Sequence, residues 1–370
     1  MISSRYKKYK QLLSWRNKSK SDAAHSIGGS VMKKKVILVE IKKDEREYFR
    51  KSLKKDFALA FMEEALSEEN LEKFKEEIKD AEILSTFVYS KITEKVLEAM
   101  PELKLITTRS TGYDHIDVEN CKKRNILVSN VPVYGENTVA EHTFALILSL
   151  SRKIHKAYFS TFREKIDPGG LRGFDLKDKT LGVVGAGHIG LHVIRMARGF
   201  GMEVLAFDIT RQPFLAEILN FRYVTLEHLL KHSDVISLHA PLNEHTHHLI
   251  NKENIKLIKK GALIINTARG ELLDTEALLL ALNEGIVSGA GLDVLEGEVL
   301  IHEEQRMYSP ELTQETLQTV VRNHILLHRD DVVITPHIGF YSKEAIQRIR
   351  RTTVKNIRGY LRGSPRYLVG

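Results

Sequence analysis

The sequence predicts an α/β protein built from two doubly wound, Rossmann-like parallel sheets, and three observations carry this prediction. The chain has 370 residues, enough for two domains, and 42% of them are hydrophobic, enough for sizeable cores. From Met32 onward, short β-branched segments alternate with segments of helical periodicity, as in βαβ units. One strand pattern runs into a glycine-rich turn that opens a helix, which is typical of a dinucleotide-binding sheet.

Composition and charge exclude several classes of protein. The only cysteine is Cys121, so no internal disulfide can form, and this favours a reducing, cytoplasmic location. No apolar run approaches the ~18 residues that a spanning helix needs. The net charge of +8 resides in the chain ends, because residues 1–31 carry seven basic and one acidic residue and residues 341–370 carry eight and one. The other 41 basic and 46 acidic residues form an ordinary solvated surface, so neither nucleic acid nor membrane is a predicted partner.

Residues 1–31 are predicted to be a basic, disordered tail. The segment is rich in Lys and Ser, has no hydrophobic periodicity and closes on Gly28-Gly29-Ser30. Two other interpretations stay open: an organelle-targeting peptide, or codons upstream of a true start at Met32. We expect function to survive removal of this tail.

The remaining chain divides into two strand-and-helix series. The first has strand patterns at 35–40, 83–88 and 103–108 and a helix pattern at 63–79. A long amphipathic helix follows at about 136–154 and is interpreted as an inter-domain spine. The second series has six strand patterns, at 180–184, 203–207, 234–238, 262–266, 287–292 and 332–335. A last helix, at 343–361, follows a turn from which it could return to the first domain.

The turn after the strand at 180–184 predicts a pyrophosphate site. Its residues are Gly185, Ala186, Gly187, His188, Ile189 and Gly190. The first glycine permits the tight turn, the second lets backbone N–H groups approach the phosphates, and the third allows close helix packing. Asp208 ends the next strand, where a carboxylate binds the ribose 2′-hydroxyl and repels a 2′-phosphate, so NAD is favoured over NADP. Arg211 could offset that repulsion, although a solvated loop arginine is the simpler interpretation.

Three reactive side chains follow predicted strands of the second series: Arg269, Glu298 and His337. Because parallel sheets bind ligands at the carboxyl ends of their strands, we expect all three near the cofactor. A guanidinium clamps a carboxylate through two hydrogen bonds, an imidazole exchanges protons near neutral pH, and a carboxylate orients the imidazole. Each residue alone is also compatible with an ordinary surface position. Their joint placement predicts a 2-hydroxy acid dehydrogenase, with Arg269 as clamp, His337 as acid/base and Glu298 as its partner.

The residues from Met32 to Leu361 resemble the D-isomer-specific 2-hydroxyacid dehydrogenase family. The motifs that carry the resemblance are SNVPVYGENTVAEH, VVGAGHIG, LHAPLNEHT, INTARGELLD, GLDVLEGE and ITPHIGFYS. Membership implies a substrate domain split between residues 32–132 and 336–370, with the NAD-binding domain, 133–335, inserted between them.

The resemblance also implies site residues. Backbone N–H groups of Thr111 and Gly112 would contact the substrate carboxylate, and His188 and Ile189 would lie beneath the pyrophosphate. The other implied cofactor contacts are Ala240, Pro241, Thr246, Thr267, Ala268 and Asp293. It assigns Arg269, Glu298 and His337 the roles deduced above.

Within the family, the chain is most similar to the D-lactate dehydrogenase branch. The similarity includes Tyr134, an insertion between Glu298 and His337, and the aromatic Phe340, which is expected to wall off a small pocket. Gly339 and the charge-rich insertion depart from the branch. The implied reaction is reduction of pyruvate to D-lactate by a homodimer.

Three alternatives stay open. One is a dehydrogenase for glyoxylate or hydroxypyruvate, and another is one for a bulkier 2-keto acid. The third, from a different class, is an NAD-sensing binding protein like the corepressors that resemble this family. No metal is predicted at His245, His247 and His248, because they lack a helical i, i+4 pair and a nearby cysteine.

Overall fold

The computed structural model of the protein describes residues 33–164, 167–297 and 314–369. These residues form two compact units. The described residues of one run from 33 to 134 and from 343 to 369, and the other is Gly135–Ser342. The chain therefore leaves the first unit once, builds the whole second unit and returns. The basic tail, Glu298 and residues 299–313 of the predicted insertion lie outside the described residues.

Helices and strands alternate along almost the whole described chain. In chain order, the first unit begins with β1 Lys35–Leu38, α1 Lys43–Leu53, β2 Ala58–Phe61, α2 Leu71–Ile78, β3 Ile83–Thr86, α3 Glu94–Glu98, β4 Leu105–Thr108, α4 Val118–Lys123 and β5 Leu127–Ser129. The second unit contains α5 Glu136–Ser151, α6 Ile154–Phe162, β6 Thr180–Val184, α7 His188–Gly199, β7 Glu203–Phe207, α8 Pro213–Leu219, β8 Arg222–Tyr223, α9 Leu226–His232, β9 Val235–Leu238, β10 Ala262–Asn266, α10 Thr275–Asn283, β11 Val287–Leu292, α11 Gln314–Leu327 and β12 Val332–Ile334. The C-terminal helix, α12 Lys343–Leu361, belongs to the first unit. Among the described residues, no helix combines the length and apolar character needed to cross a bilayer.

The first unit is a parallel five-stranded sheet in the order β2-β1-β3-β4-β5. Successive side chains of a strand point to opposite faces, so β1 supplies two cores. Ile37 is buried with one cluster, whereas Val36 and Leu38 are buried with another that includes Ile357 of α12. Both faces of the sheet are therefore covered, as parallel sheets require.

The second unit is a parallel seven-stranded sheet in the order β12-β11-β10-β9-β6-β7-β8. The chain starts at β6, moves outward to β7 and β8, and then crosses to β9 on the other side. Such a reversal leaves a crevice beside the carboxyl end of β6, which is where doubly wound sheets bind ligands. The predicted fold class is confirmed by these two sheets.

Helix α5 packs on the second sheet and lies wholly within that unit. A methyl group on Gly291 of β11 would lie 2.9 Å from Cβ of Leu146, so this glycine lets the helix approach the strand closely. Leu146, Ile147 and Leu150 are buried there. The helix predicted at 136–154 ends at Ser151, and the αL residue Lys153 separates it from α6.

Three strands were missing from the sequence prediction: β2, β5 and β8. They are short, and β8 has only two residues. The helix predicted at 63–79 is confined to Leu71–Ile78 after one turn of 3-10 helix. The second boundary between the units falls after Ser342 instead of after residue 335. The reason is that His337, Ile338 and Gly339 donate backbone hydrogen bonds to Asp293, which follows β11.

Candidate active site

The glycine turn joins β6 to α7 with the geometry that a dinucleotide needs. Gly185 has φ 95°, a conformation that favours glycine, and its N–H donates to the carbonyl of Phe207. A methyl group on Gly190 would lie 2.0 Å from the Gly185 carbonyl oxygen, so only glycine allows this helix start. Nothing lies within 4 Å of the position where a Gly187 side chain would begin. The space in front of the helix N-terminus is therefore open to a phosphate group.

Asp208 follows β7 and is joined to the same turn. Its Oδ2 accepts the Ala186 N–H at 2.8 Å, and its Oδ1 accepts the Thr210 N–H at 2.7 Å. Both bonds orient a carboxylate beside the predicted ribose position. Arg211 extends over the ring of Tyr223, 6.0 Å from its centroid. This cation–π contact gives Arg211 a structural role and supports its interpretation as a loop residue.

The loop after β9 borders the turn from the other side. A methyl group on Gly185 would lie 2.7 Å from the backbone nitrogen of Ala240, so the two segments meet with only glycine between them. Thr246 closes this loop, since its hydroxyl donates to the Pro241 carbonyl at 2.6 Å and accepts the Asn243 N–H at 2.8 Å. His188 opens α7, and its imidazole is 84% exposed at 3.5 Å from Glu136.

Arg269 lies in the turn that follows β10. Asn266, the last residue of β10, fixes this turn, because its amide donates to the Arg269 carbonyl at 2.8 Å and accepts the Ala268 N–H at 3.1 Å. The buried hydroxyl of Thr267 lies 3.0 Å from Thr143 of α5. A methyl group on Gly270 would lie 2.1 Å from the backbone of Leu295. The turn that carries Arg269 is thus packed tightly against the segment that follows β11.

His337 lies in the turn that follows β12, in a left-handed backbone conformation with φ 52°. Its N–H donates to the carbonyls of Asp293 and Thr335, both at 2.9 Å. Its imidazole is half-buried and makes an edge contact with the ring of Phe340, at 6.4 Å between centroids. A non-glycine residue in this conformation is held there by its surroundings, which is common where a side chain must be aimed.

Asp293 is the group that holds the His337 turn. It is 2% exposed, and it accepts the Thr335 hydroxyl at 2.6 Å, the Ile338 N–H at 2.9 Å and the Gly339 N–H at 2.8 Å. Burial alone would raise the pKa of Asp293, but hydrogen bonds from His142, Thr335 and Gly339 outweigh it and hold the pKa below its ordinary value. The carboxylate therefore stays ionised and ties β11 to the turn after β12.

His142 of α5 completes this network, and the sequence did not predict its partners. Its Nε2 lies 2.9 Å from the Thr335 hydroxyl and 3.2 Å from Asp293 Oδ1. We find no local pattern that would have indicated this role, since both partners lie more than 150 positions away. Only its position on a helix that packs against the same sheet brings them together.

The carboxyl ends of three adjacent strands therefore carry Arg269, Asp293 and His337. Asn266, Leu292 and Ile334, the last residues of β10, β11 and β12, are paired in register across the sheet. Neighbouring strands are ~4.8 Å apart, so the turns that follow them share one edge. Glu298, the third predicted catalytic residue, lies outside the described residues.

The predicted substrate loop lies in the first unit, after β4. Thr111 donates its hydroxyl to the Val131 carbonyl at 3.0 Å, and Asn130 donates to the Thr111 carbonyl at 2.8 Å. The Gly112 carbonyl accepts from Ser110 at 2.6 Å. The carbonyl of half-buried Tyr134 accepts from Arg348 of α12 at 2.6 Å. This unit thus presents a loop after β4 that is held by hydrogen bonds from Thr111, Asn130 and Ser110.

Glu40 is a second residue that sequence reasoning missed. Its carboxylate accepts the N–H groups of Phe87 and Tyr89, each at 2.8 Å, and the hydroxyls of Thr86 and Ser90. It has φ 55°, and its carbonyl accepts from the buried Arg109 at 2.9 Å. Glu40 therefore shapes the loop after β3, which contains Phe87 and Tyr89.

The second unit is, by fold and by site, a dinucleotide-binding domain of the doubly wound class. The residues fit the cofactor: the turn at Gly185 is open at Gly187, and Asp208 offers a carboxylate at the end of the next strand. Reactive side chains follow three strands beside the same crevice.

Comparison with known proteins agrees with this class. Residues 144–339 match the family model described as D-isomer specific 2-hydroxyacid dehydrogenase, NAD binding domain. The chain is 37% identical over 295 residues to a glyoxylate reductase of Thermococcus litoralis, which covers 78% of this chain and 83% of the relative. A D-lactate dehydrogenase from Aquifex aeolicus, solved with NAD and lactic acid, superposes with a TM-score of 0.81 at 38% identity, covering 89% and 96% of the two chains. The D-lactate dehydrogenase from Escherichia coli gives a TM-score of 0.76 at 30% identity, covering 91% and 100%.

The chain belongs to the D-isomer-specific 2-hydroxyacid dehydrogenase family. It is an NAD-dependent oxidoreductase that acts on 2-hydroxy acids. The resemblance drawn from the sequence motifs is confirmed, and so is the choice of NAD as cofactor.

Proposed function

We propose that this enzyme reduces pyruvate to D-lactate with NADH, and that Arg269, Glu298 and His337 carry the reaction. The observation that supports this most is the register of β10, β11 and β12, whose adjacent ends lead to Arg269, Asp293 and His337. A guanidinium and an imidazole follow strands of one sheet edge, beside the dinucleotide turn.

In the proposed reaction each side chain has one task. Arg269 binds the substrate carboxylate with its planar fork, and its charge polarises the reacting carbonyl. NADH, when bound, would supply the hydride for the carbonyl carbon. His337 delivers its Nε2 or Nδ1 proton to the carbonyl oxygen, and Glu298 holds the imidazole and its positive charge. Thr111 and Gly112 would offer backbone N–H groups to the carboxylate.

The position of Phe340 supports the proposal that the substrate is small. Its ring contacts the His337 imidazole edge-on, so bulk is already present beside the proposed proton donor. A two- or three-carbon acid fits such a site better than a branched or aromatic one. Tyr134, one position before the second unit begins, is proposed to contact the same substrate.

Glyoxylate is the second candidate substrate. The curated relatives at 36–38% identity include several named glyoxylate reductases, whereas the solved structures at 29–38% identity include several D-lactate dehydrogenases. The two acids differ by one methyl group, which is worth only ~1–3 kcal/mol in a hydrophobic pocket.

We also propose that the enzyme is a homodimer. Helix α6 exposes an aromatic face on which Tyr158, Phe159 and Phe162 are 66%, 58% and 76% exposed. The rings of Tyr158 and Phe162 stack on each other, 6.3 Å apart. A monomeric mass in analytical ultracentrifugation would contradict this proposal. The cytoplasmic location stays a prediction from the single cysteine.

The test is a panel of 2-keto acids with NADH: pyruvate, glyoxylate, hydroxypyruvate and a branched-chain acid, with the chirality of the product determined. We expect the highest kcat/KM with pyruvate and a D-configured product. Replacement of Arg269 by Lys removes one of two charge-assisted hydrogen bonds, each worth ~1.5–3 kcal/mol. This should lower kcat/KM for the acid about 10- to 100-fold, because each ~1.4 kcal/mol is tenfold, and leave the KM for NADH unchanged.

Arg222→Lys is the matched control, since Arg222 is exposed on the edge strand β8. It should behave as the wild type. A higher kcat/KM with glyoxylate than with pyruvate would identify glyoxylate as the preferred substrate. Negligible turnover with every acid would favour the NAD-sensing alternative. Unchanged kinetics of Arg269→Lys would remove Arg269 from the site.

A further inference from the structure

Three potential metal ligands meet beside the turn that carries Arg269. His247 and His248 lie in the loop after β9, and Glu296 lies in the segment after β11. One ligand atom of each lies within 4.8 Å of the other two. No metal was predicted at His247 and His248 from the sequence, in which the third ligand, Glu296, lies 48 positions after His248.

The two imidazoles are held side by side by the loop. Their ring centroids are 4.0 Å apart with the planes 31° from parallel. His248 has φ 50°, and its N–H donates to the Glu271 carbonyl at 2.7 Å. Ile250 then pairs with Leu273, so the loop is fastened to the segment after Arg269. His248 is therefore linked to the segment after Arg269, whereas the His247 side chain is exposed.

Glu296 is held in place before any ligand binds. Its Oε1 accepts from Nε2 of His248 at 2.6 Å, its Oε2 accepts the Thr275 N–H at 3.3 Å, and its carbonyl accepts from Asn323 at 2.8 Å. Burial would raise the pKa of Glu296, but the bonds from His248 and Thr275 outweigh it and lower the pKa. The carboxylate is thus anionic, oriented and mostly shielded from water.

We propose that His247, His248 and Glu296 bind a borderline divalent cation, with Zn²⁺ as the preferred ion. Two imidazole nitrogens and one carboxylate oxygen suit Zn²⁺, Co²⁺ or Ni²⁺ and are a poor set for Mg²⁺ or Ca²⁺. A tetrahedral site with ~2.1 Å bonds keeps its ligands about 3.4 Å apart. His248 Nε2 and Glu296 Oε1 are 2.6 Å apart, so on metal binding they lose the proton between them to solvent and separate by about 0.8 Å. Rotation of the exposed His247 side chain supplies the third ligand, and a water molecule takes the fourth position.

Two basic side chains of this region, Lys252 and Arg322, already pair with another carboxylate. Lys252 forms an ion pair with Glu276 at 2.7 Å, and Arg322 pairs with the same carboxylate. The cluster keeps one net negative charge when both histidines are neutral. A divalent ion therefore meets a favourable field and a pre-oriented carboxylate.

Metal binding at this site should inhibit the dehydrogenase. The cluster is fastened to both sides of the turn that carries Arg269: His248 bonds to Glu271, and the Leu295–Glu296 backbone packs on Gly270. Drawing Glu296 and His248 onto an ion would shift this turn. The predicted inhibition rests on the proposed role of Arg269, whereas the predicted metal binding does not.

The experiment uses the full-length protein after treatment with EDTA and dialysis. Isothermal titration with ZnCl₂ should give one saturable site, and titration with CoCl₂ should give the visible absorption bands of four-coordinate Co²⁺. His247→Ala and Glu296→Gln should each weaken Zn²⁺ binding at least tenfold. NADH oxidation by the wild type should fall as the site fills, and His247→Ala should resist that inhibition.

His245→Ala is the matched control, because His245 lies in the same loop with an 86% exposed side chain and is not in the cluster. It should bind Zn²⁺ as the wild type does. His247 is exposed, so its variant should fold even if Glu296→Gln does not. Absence of a saturable site in the wild type, or equal loss of affinity in His245→Ala and His247→Ala, would overturn the proposal. Zn²⁺ binding without inhibition would support the metal site and contradict the predicted effect on catalysis through the turn that carries Arg269.

Discussion

Replacing Gly339 by Ala should damage both stability and catalysis, and the structure sets the size of the effect. A Cβ atom at this position would lie 2.8 Å from Asp293 Oδ2 and 3.4 Å from Cδ2 of His142. Ordinary van der Waals contact begins at 3.4 Å, so the methyl group and the carboxylate must separate by about 0.6 Å. The clash is therefore with the very group that orients the His337 turn.

Neither residue 339 nor the Asp293 carboxylate can move apart from the other without weakening the hydrogen bonds of Asp293. Asp293 is 2% exposed and is held by Thr335 at 2.6 Å and by Ile338 at 2.9 Å. Movement of the carboxylate stretches its 2.8 Å bond from the Gly339 N–H. Loss of one bond to a charged acceptor costs ~1.5–3 kcal/mol. If the transition state is destabilised by the same free energy, kcat/KM falls about 10- to 100-fold.

The assay is urea unfolding together with steady-state reduction of the best 2-keto acid. Gly199→Ala is the control, because Gly199 ends helix α7 in the same unit and nothing lies within 4 Å of its added methyl group. It should leave kcat/KM unchanged and raise the unfolding free energy by up to about 1 kcal/mol. Wild-type stability and kinetics in Gly339→Ala would refute the role given to the Asp293 network.

Two further predictions concern the thiol and the cofactor. Burial raises the pKa of Cys121 to about 12, so only about one thiol in ten thousand is ionised at pH 8. A thiol reagent should therefore label the native protein only as fast as the protein unfolds. Rapid labelling of the folded protein would contradict this prediction. Asp208→Asn removes the charge that opposes a 2′-phosphate, so kcat/KM for NADPH relative to NADH should rise at least tenfold. An unchanged ratio would show that Asp208 does not face the ribose.

The sequence predicted those parts of the site that form a contiguous motif or directly follow a recognisable strand. The turn from Gly185 to Gly190 is a contiguous motif between a strand and a helix, and Arg269 and His337 each follow a strand of clear composition. Such residues can be placed because the carboxyl ends of parallel strands share one edge. The register that makes β10, β11 and β12 adjacent agrees with this reasoning.

The parts that were missed depend on partners far along the chain. Glu40 binds N–H groups 47 and 49 positions away, and His142 meets Thr335 at a separation of 193. Gly339 looked like a departure from the family, yet a side chain there would strike Asp293. No local periodicity records such contacts, because they exist only once the sheets have formed. The short strands β2 and β8 were missed since four and two residues carry too little pattern.

The split of the first unit between both ends of the chain sets the order in which the protein can mature on the ribosome. Helix α12 supplies Val354, Ile357 and Tyr360 to the core around β1, and Leu368 pairs with Ser129 beside β5. The second unit needs nothing beyond Ser342. The nucleotide-binding sheet can therefore close while translation continues, whereas one face of the amino-terminal sheet stays only partly covered, by α1, until the last helix emerges.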